Sequence, residues 1–136
     1  MSPGIWRRPK SLREVAEESH RYGDFGYHLK DFLHEFAWAH QHHLPMESML
    51  AEEPPRLAQR FEEGNICDAF VAATADHLSR VNGILTPAWA LNDDLVLAKP
   101  WFSEEFLNVR LRLLRDTPSA FKDKNLFVFE SALSVA

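Results

Sequence analysis

Apolar positions recur along this chain mostly at three- and four-residue steps, which predicts helices rather than strands. The clearest stripe is Phe25, Leu29, Phe32, Leu33 and Phe36, the wide face of an amphipathic helix entered at Asp24. Before it, Ser11-Leu12-Arg13-Glu14 has capping-box spacing and predicts a first helix over 12–21, ended by Tyr22-Gly23. Leu44-Pro45 closes the second helix, because the residue before a proline is pushed out of the α region. A short helix over 46–51 and another after Pro54-Pro55 follow, the latter facing Leu57, Ala58 and Phe61 inward before Gly64 interrupts.

A longer helix opens near Asn65, with Ile66, Phe70, Ala73, His77 and Val81 expected inside and Asn82-Gly83 as its left-handed stop. From Ile84 to Lys99 the helical period is lost, with Asn92-Asp93-Asp94 offering a turn or a short cap, and the stretch near 84–102 is expected to be one long connection or a few short turns. Ser103, followed by Glu104 and Glu105, reads as the cap of a helix ending at Arg115, with Phe106, Leu107, Leu111 and Leu114 toward the core. Thr117-Pro118 starts a short helix to about 123. Leu126 to Phe129 reads as extended chain or a helical turn, since no second strong strand offers a partner. The expected fold is all-α, one compact irregular bundle of five to seven helices spanning residues 1–136, with 1–10 as a flexible N-terminal segment.

Composition narrows the function classes. With 136 residues, 46% hydrophobic and 26% charged, and with ten Phe and four Trp, the chain is globular and sized for a single core. No run approaches the roughly 20 apolar residues of a membrane span, and the N-terminus lacks the apolar stretch of a secretory signal. One cysteine, Cys67, allows no internal disulfide, which points to a reducing cytoplasm. The net charge of −5 is uneven: residues 14–98 hold fifteen acids against five Lys or Arg. That body disfavours nucleic acid, leaving Arg7, Arg8, Lys10 and Arg13 as the only phosphate-seeking set of the first half. Arg110, Arg112, Arg115, Lys122 and Lys124 are nearly balanced by neighbouring acids.

Candidate chemistry is sparse. Six of seven histidines lie between His20 and His43, and His28, Asp31 and Glu35 share a helix face, with His40 and His43 as a second pair. They define an alternative reading, a divalent-metal-binding helical protein or metal-dependent hydrolase, without an H-E-x-x-H spacing. Cys67 and His77 lie ten residues apart on one helix, roughly 15 Å along its axis, too far for a nucleophile-base pair. No phosphate-cradling glycine loop, dinucleotide fingerprint or G-x-S-x-G elbow is present. No catalytic residue is assigned and no cofactor is expected. A protein partner, or a second copy of the chain, is the favoured ligand, with Trp89, Trp101, Arg110, Arg112 and Arg115 as its candidate anchors, because Trp and Arg dominate interface hot spots.

Thr86-Pro87-Ala88-Trp89, Lys99-Pro100-Trp101-Phe102 and the stretch from Leu113 to Val128, ending Lys124-Asn125-Leu126-Phe127-Val128, carry a resemblance. Over most of residues 51–133 the chain resembles a family of small uncharacterised bacterial proteins, in whose pattern a P-x-W piece precedes a P-W-F piece and the end reads like S-P-x-x-F-x-x-[RK]-N-L-F-V, where this chain has Thr117-Pro118. Genes of that family often neighbour a nucleotidyltransferase-like gene, so the resemblance implies an antitoxin-like, partner-binding role. Lys122-Asp123-Lys124 departs from the family's basic pair by placing an acid between the lysines.

Overall fold

The computed structural model describes residues 8–133. Six α-helices run through the described residues: α1 Leu12–Glu18, α2 Tyr22–Gln41, α3 Glu47–Ala51, α4 Gly64–Asn82, α5 Leu107–Asp116 and α6 Ser119–Lys122. The all-helical expectation holds, with one addition, a two-residue parallel pair of β1 Trp101–Phe102 and β2 Leu126–Phe127.

Ser11 Oγ accepts the Glu14 N–H at 3.1 Å, so the expected cap starts α1. The helix stops sooner than expected, at Glu18, and Ser19 Oγ–H donates back to the Val15 carbonyl. Three residues make the break, and Tyr22-Gly23 form the first turn of α2 instead of ending α1. Asp24 therefore sits inside that turn, where it accepts from Arg21 Nε at 3.1 Å. The predicted stripe Phe25, Leu29, Phe32, Leu33 and Phe36 is buried throughout. Within the expected flexible segment 1–10, Pro9 is fully buried, and the N–H of the exposed Lys10 donates to Glu14. Residues 1–7 of that segment lie outside the described residues.

The helix expected after Pro54-Pro55 is only a 3₁₀ turn, Leu57–Gln59, with Ala58 exposed. The Asp68 carboxylate takes the Leu57 and Ala58 N–H groups at 2.7 and 3.0 Å, tying that turn to α4. Burial of the carboxyl raises its pKa above the ordinary value. Gly64 is needed where this turn crosses: a Cβ would lie 2.0 Å from the Leu57 carbonyl oxygen.

The axis of the fold is α4, which is buried on two sides. Cys67, Val71, Ala72, Ala75 and Leu78 join α1, α2 and α3 in one apolar cluster, while Ala69 and Ala73 face Leu97, Phe121, Leu126 and Val128 in another. Small residues let both neighbours approach closely. This corrects the expected single inward face, since Val81 is 61% exposed and Ile66 and His77 are half-buried. Phe70 joins the clusters, its ring edge-on to Phe25 at 6.1 Å and to Phe121 at 5.1 Å. Gly83, with φ 67°, ends α4 as expected.

The long connection over 84–102 runs through 3₁₀ turns and is laced to the C-terminal segment. Leu97 N–H donates to Lys124 O, Trp101 N–H to Asn125 O and Ser103 N–H to Phe127 O. Asn125, in the left-handed region at φ 66°, also donates from Nδ2 to Leu97 O. The Leu126–Phe127 segment thus has a strand partner after all, hidden inside the stretch where helical period failed. At the end of α4, Asp76 is 2% exposed and accepts two bonds from Arg80, at 3.0 and 2.7 Å, and one from Thr86. Arg80 continues to Asp123 at 3.0 Å, fastening α4 to the end of α6.

Candidate docking face

Helix α5 is held to the body by few groups. Leu113 is its one buried residue, and Thr117 donates to the Leu113 carbonyl from both Oγ1, at 2.6 Å, and N. Arg110 lies 5.0 Å over the Phe102 ring and donates from Nε to Glu104 O at 3.1 Å. Arg112 lies 5.5 Å over Phe129, while Phe102 stacks on Phe127 at 4.8 Å. Arg110 over Phe102 of β1 and Arg112 over Phe129, two residues past β2, therefore brace α5 through cation–π contacts.

The opposite side of α5 is apolar and uncovered. Phe106 is 73% exposed, Leu107 73%, Leu111 58% and Leu114 48%. This corrects the expectation that these four face the core, while Arg112 and Arg115 come out to the surface as expected and Arg110 is half-buried. The helix also begins at Leu107 instead of after Ser103, because Ser103 is engaged with Phe127 across the ladder and Phe106 takes the cap position. Leu107, Leu111 and Leu114 stand at i, i+4 and i+7, the spacing at which a helix offers anchors to a groove. Apolar residues on both sides of so short a helix were the available signal, since Val109 and Leu113 already satisfy the inner side.

The other predicted anchors are engaged within the chain. Trp89 Nε1–H donates to the Leu50 carbonyl at 3.0 Å, and its ring packs on the larger cluster. Trp101 is half-buried against the second cluster. Arg115 pairs with Asp116 at 2.7 Å, whose carboxyl it holds below the usual range.

The histidine set does not gather. His28 lies 3.8 Å from Glu18, Glu35 pairs with Arg8 at 3.9 Å and Lys10 at 3.5 Å, and His40 and His43 are exposed at the end of α2. Among the described residues no group of three or more His, Cys, Asp or Glu is placed to hold a metal ion. His77 lies edge-on to Phe121, and burial lowers its pKa, favouring the neutral ring. Burial pushes the Cys67 thiol up to about 12, which keeps it protonated and a poor nucleophile. In the basic N-terminal set, Arg8 and Lys10 face Glu35, and Arg13 faces Glu17 and Glu52. Arg7 lies outside the described residues.

No protein-family model, curated protein or solved structure matches the chain. Among the described residues no helix is long and apolar enough to cross a membrane.

Proposed function

We propose that this chain is a non-enzymatic protein-interaction module that docks through α5. The observation that carries the reading is the stripe Leu107, Leu111 and Leu114, with Phe106 at its head, left uncovered on a helix anchored from its other side. Contiguous exposed apolar patches of this kind mark interaction sites on otherwise ordinary surfaces. Glu104 and Glu105 beside Phe106 are exposed and make no ion pair among the described residues. With Arg110 and Arg112 occupied by aromatic rings, the partner that fits is a protein with an apolar groove rimmed by basic groups. The family resemblance adds a first candidate, a nucleotidyltransferase-like protein encoded next to it, and an antitoxin-like role.

Co-expression of the full chain with the neighbouring gene product, followed by co-purification, tests this. Leu111→Glu with Leu114→Glu is expected to weaken the complex on the order of 100-fold, since two buried leucines are lost, while the melting temperature of the free chain stays put. Undiminished binding by the double variant would overturn the assignment. So would a wild-type chain that sediments alone as a dimer and becomes monomeric in the double variant, because the stripe's occupant would then be a second copy.

A further inference from the structure

A hollow of ≈ 550 Å³ opens between the start of α2, the start of α4, Trp101 and the Ser131-Ala132 segment. Its size is that of a small-molecule site. Phe25, Leu29, Ile66, Phe70 and Trp101 supply its walls. Two glycines, Gly23 and Gly26, lie one helical turn apart along it, and a Cβ at either would meet nothing within 4 Å. Both glycines are exposed, so the α2 backbone is open along this edge of the hollow. Next on the same helix side stands Lys30, one turn beyond Gly26.

Among the described residues, Lys30 is the one charged residue that lines the hollow. It makes no ion pair among the described residues, in a chain whose net charge is −5. An apolar hollow with a single unpaired cation at its edge calls for a ligand with one anionic end and a long apolar body. We infer that the hollow binds one long-chain carboxylate, of the fatty-acid type, with its chain along the Gly23-Gly26 edge and its head group on the Lys30 ammonium. The charge-assisted hydrogen bond from Nζ fixes the head, and burial of methylenes against Phe25, Phe70 and Trp101 supplies most of the affinity. This site is independent of the α5 reading and uses none of its residues.

Calorimetric titration of the full chain with dodecanoate, below its micellar range, and with 1-dodecanol tests the inference. Dodecanoate is expected to bind with one-to-one stoichiometry. Lys30→Met should weaken dodecanoate roughly tenfold and leave dodecanol within about twofold, the difference being the charged hydrogen bond. Gly26→Leu, which fills that edge and favours helix, should weaken both ligands by about tenfold or more with an unchanged circular dichroism spectrum. Leu111→Glu with Leu114→Glu should leave both titrations unaltered. Absence of saturable binding by the wild type, equal losses of both ligands on Lys30→Met, or indifference to Gly26→Leu would each overturn it.

Discussion

Helices α4 and α5 are each about half apolar, yet they stand in opposite relations to the rest of the molecule. In α4 the apolar residues are mostly small and spread around the axis, so neighbours close on both sides and even Asp68, Thr74, Asp76 and Ser79 are buried. In α5 they are large, and the body fully buries only Leu113, leaving the leucine stripe in water. Apolar content alone therefore does not locate a core. Side-chain size and the number of sides occupied separate a helix built to be surrounded from one that covers its inner side and keeps another free.

The sharpest way to break the contrast is at the closest approach to α4. Gly64→Ala forces its new methyl onto the Leu57 carbonyl, where backbone must give way, and is expected to cost on the order of 3 kcal/mol in urea unfolding. A cost near that of an ordinary surface change would mean that α4 is not held so tightly.

A second test uses pH. The Cys67 thiol, buried in α4, has its pKa raised from 9.0 to about 12. Between those values the unfolded chain has released its proton while the folded chain keeps it, so the folded state binds more protons and stability falls as pH rises. Stability from this group is fully present below about pH 9 and is lost progressively toward 12. Melting curves at pH 8 and pH 11 should show a larger alkaline drop for the wild type than for Cys67→Ala. Equal drops would place the thiol in a wetter site.

The smallest effects are expected on α5. Arg112→Gln removes one cation–π contact with Phe129 and should cost about 0.5–1 kcal/mol. Leu111→Glu in the free chain should stay within about 0.5 kcal/mol of wild type. If the leucine change proved the costlier of the two, the inner and outer sides of α5 would have to be exchanged.

Much of the architecture was readable from residue pattern because it rests on local rules. The α2 stripe, the Ser11 cap, the Gly83 stop and the irregular stretch before Trp101 each follow from neighbours within a few residues. What escaped depends on distant partners. The Asp68 carboxylate takes N–H groups ten and eleven residues upstream and so reduces an expected helix to one 3₁₀ turn. A two-residue strand pair leaves no alternating pattern to detect, although Trp101-Phe102 and Asn125-Leu126-Phe127 both stood out as motif pieces. The candidate site was half seen: the region around Arg110 was singled out, but periodicity shows that a stripe exists and not which side of the helix the body claims. Once Phe102 and Phe129 take the arginines, the leucines are the side left over.

The parallel pairing of Trp101-Phe102 with Leu126-Phe127 also bears on how the chain is made. Ribosomes deliver residues in order, at roughly 5–20 per second. When α1 to α4 have emerged, the side of α4 carrying Ala69 and Ala73 still awaits Phe121, Leu126 and Val128. Trp101 likewise waits for the carbonyl of Asn125 to receive its N–H. Completion of the core is thus deferred to the closing stretch of synthesis, and until then α4 is bare along one flank, the interval in which a nascent chain depends most on its chaperones.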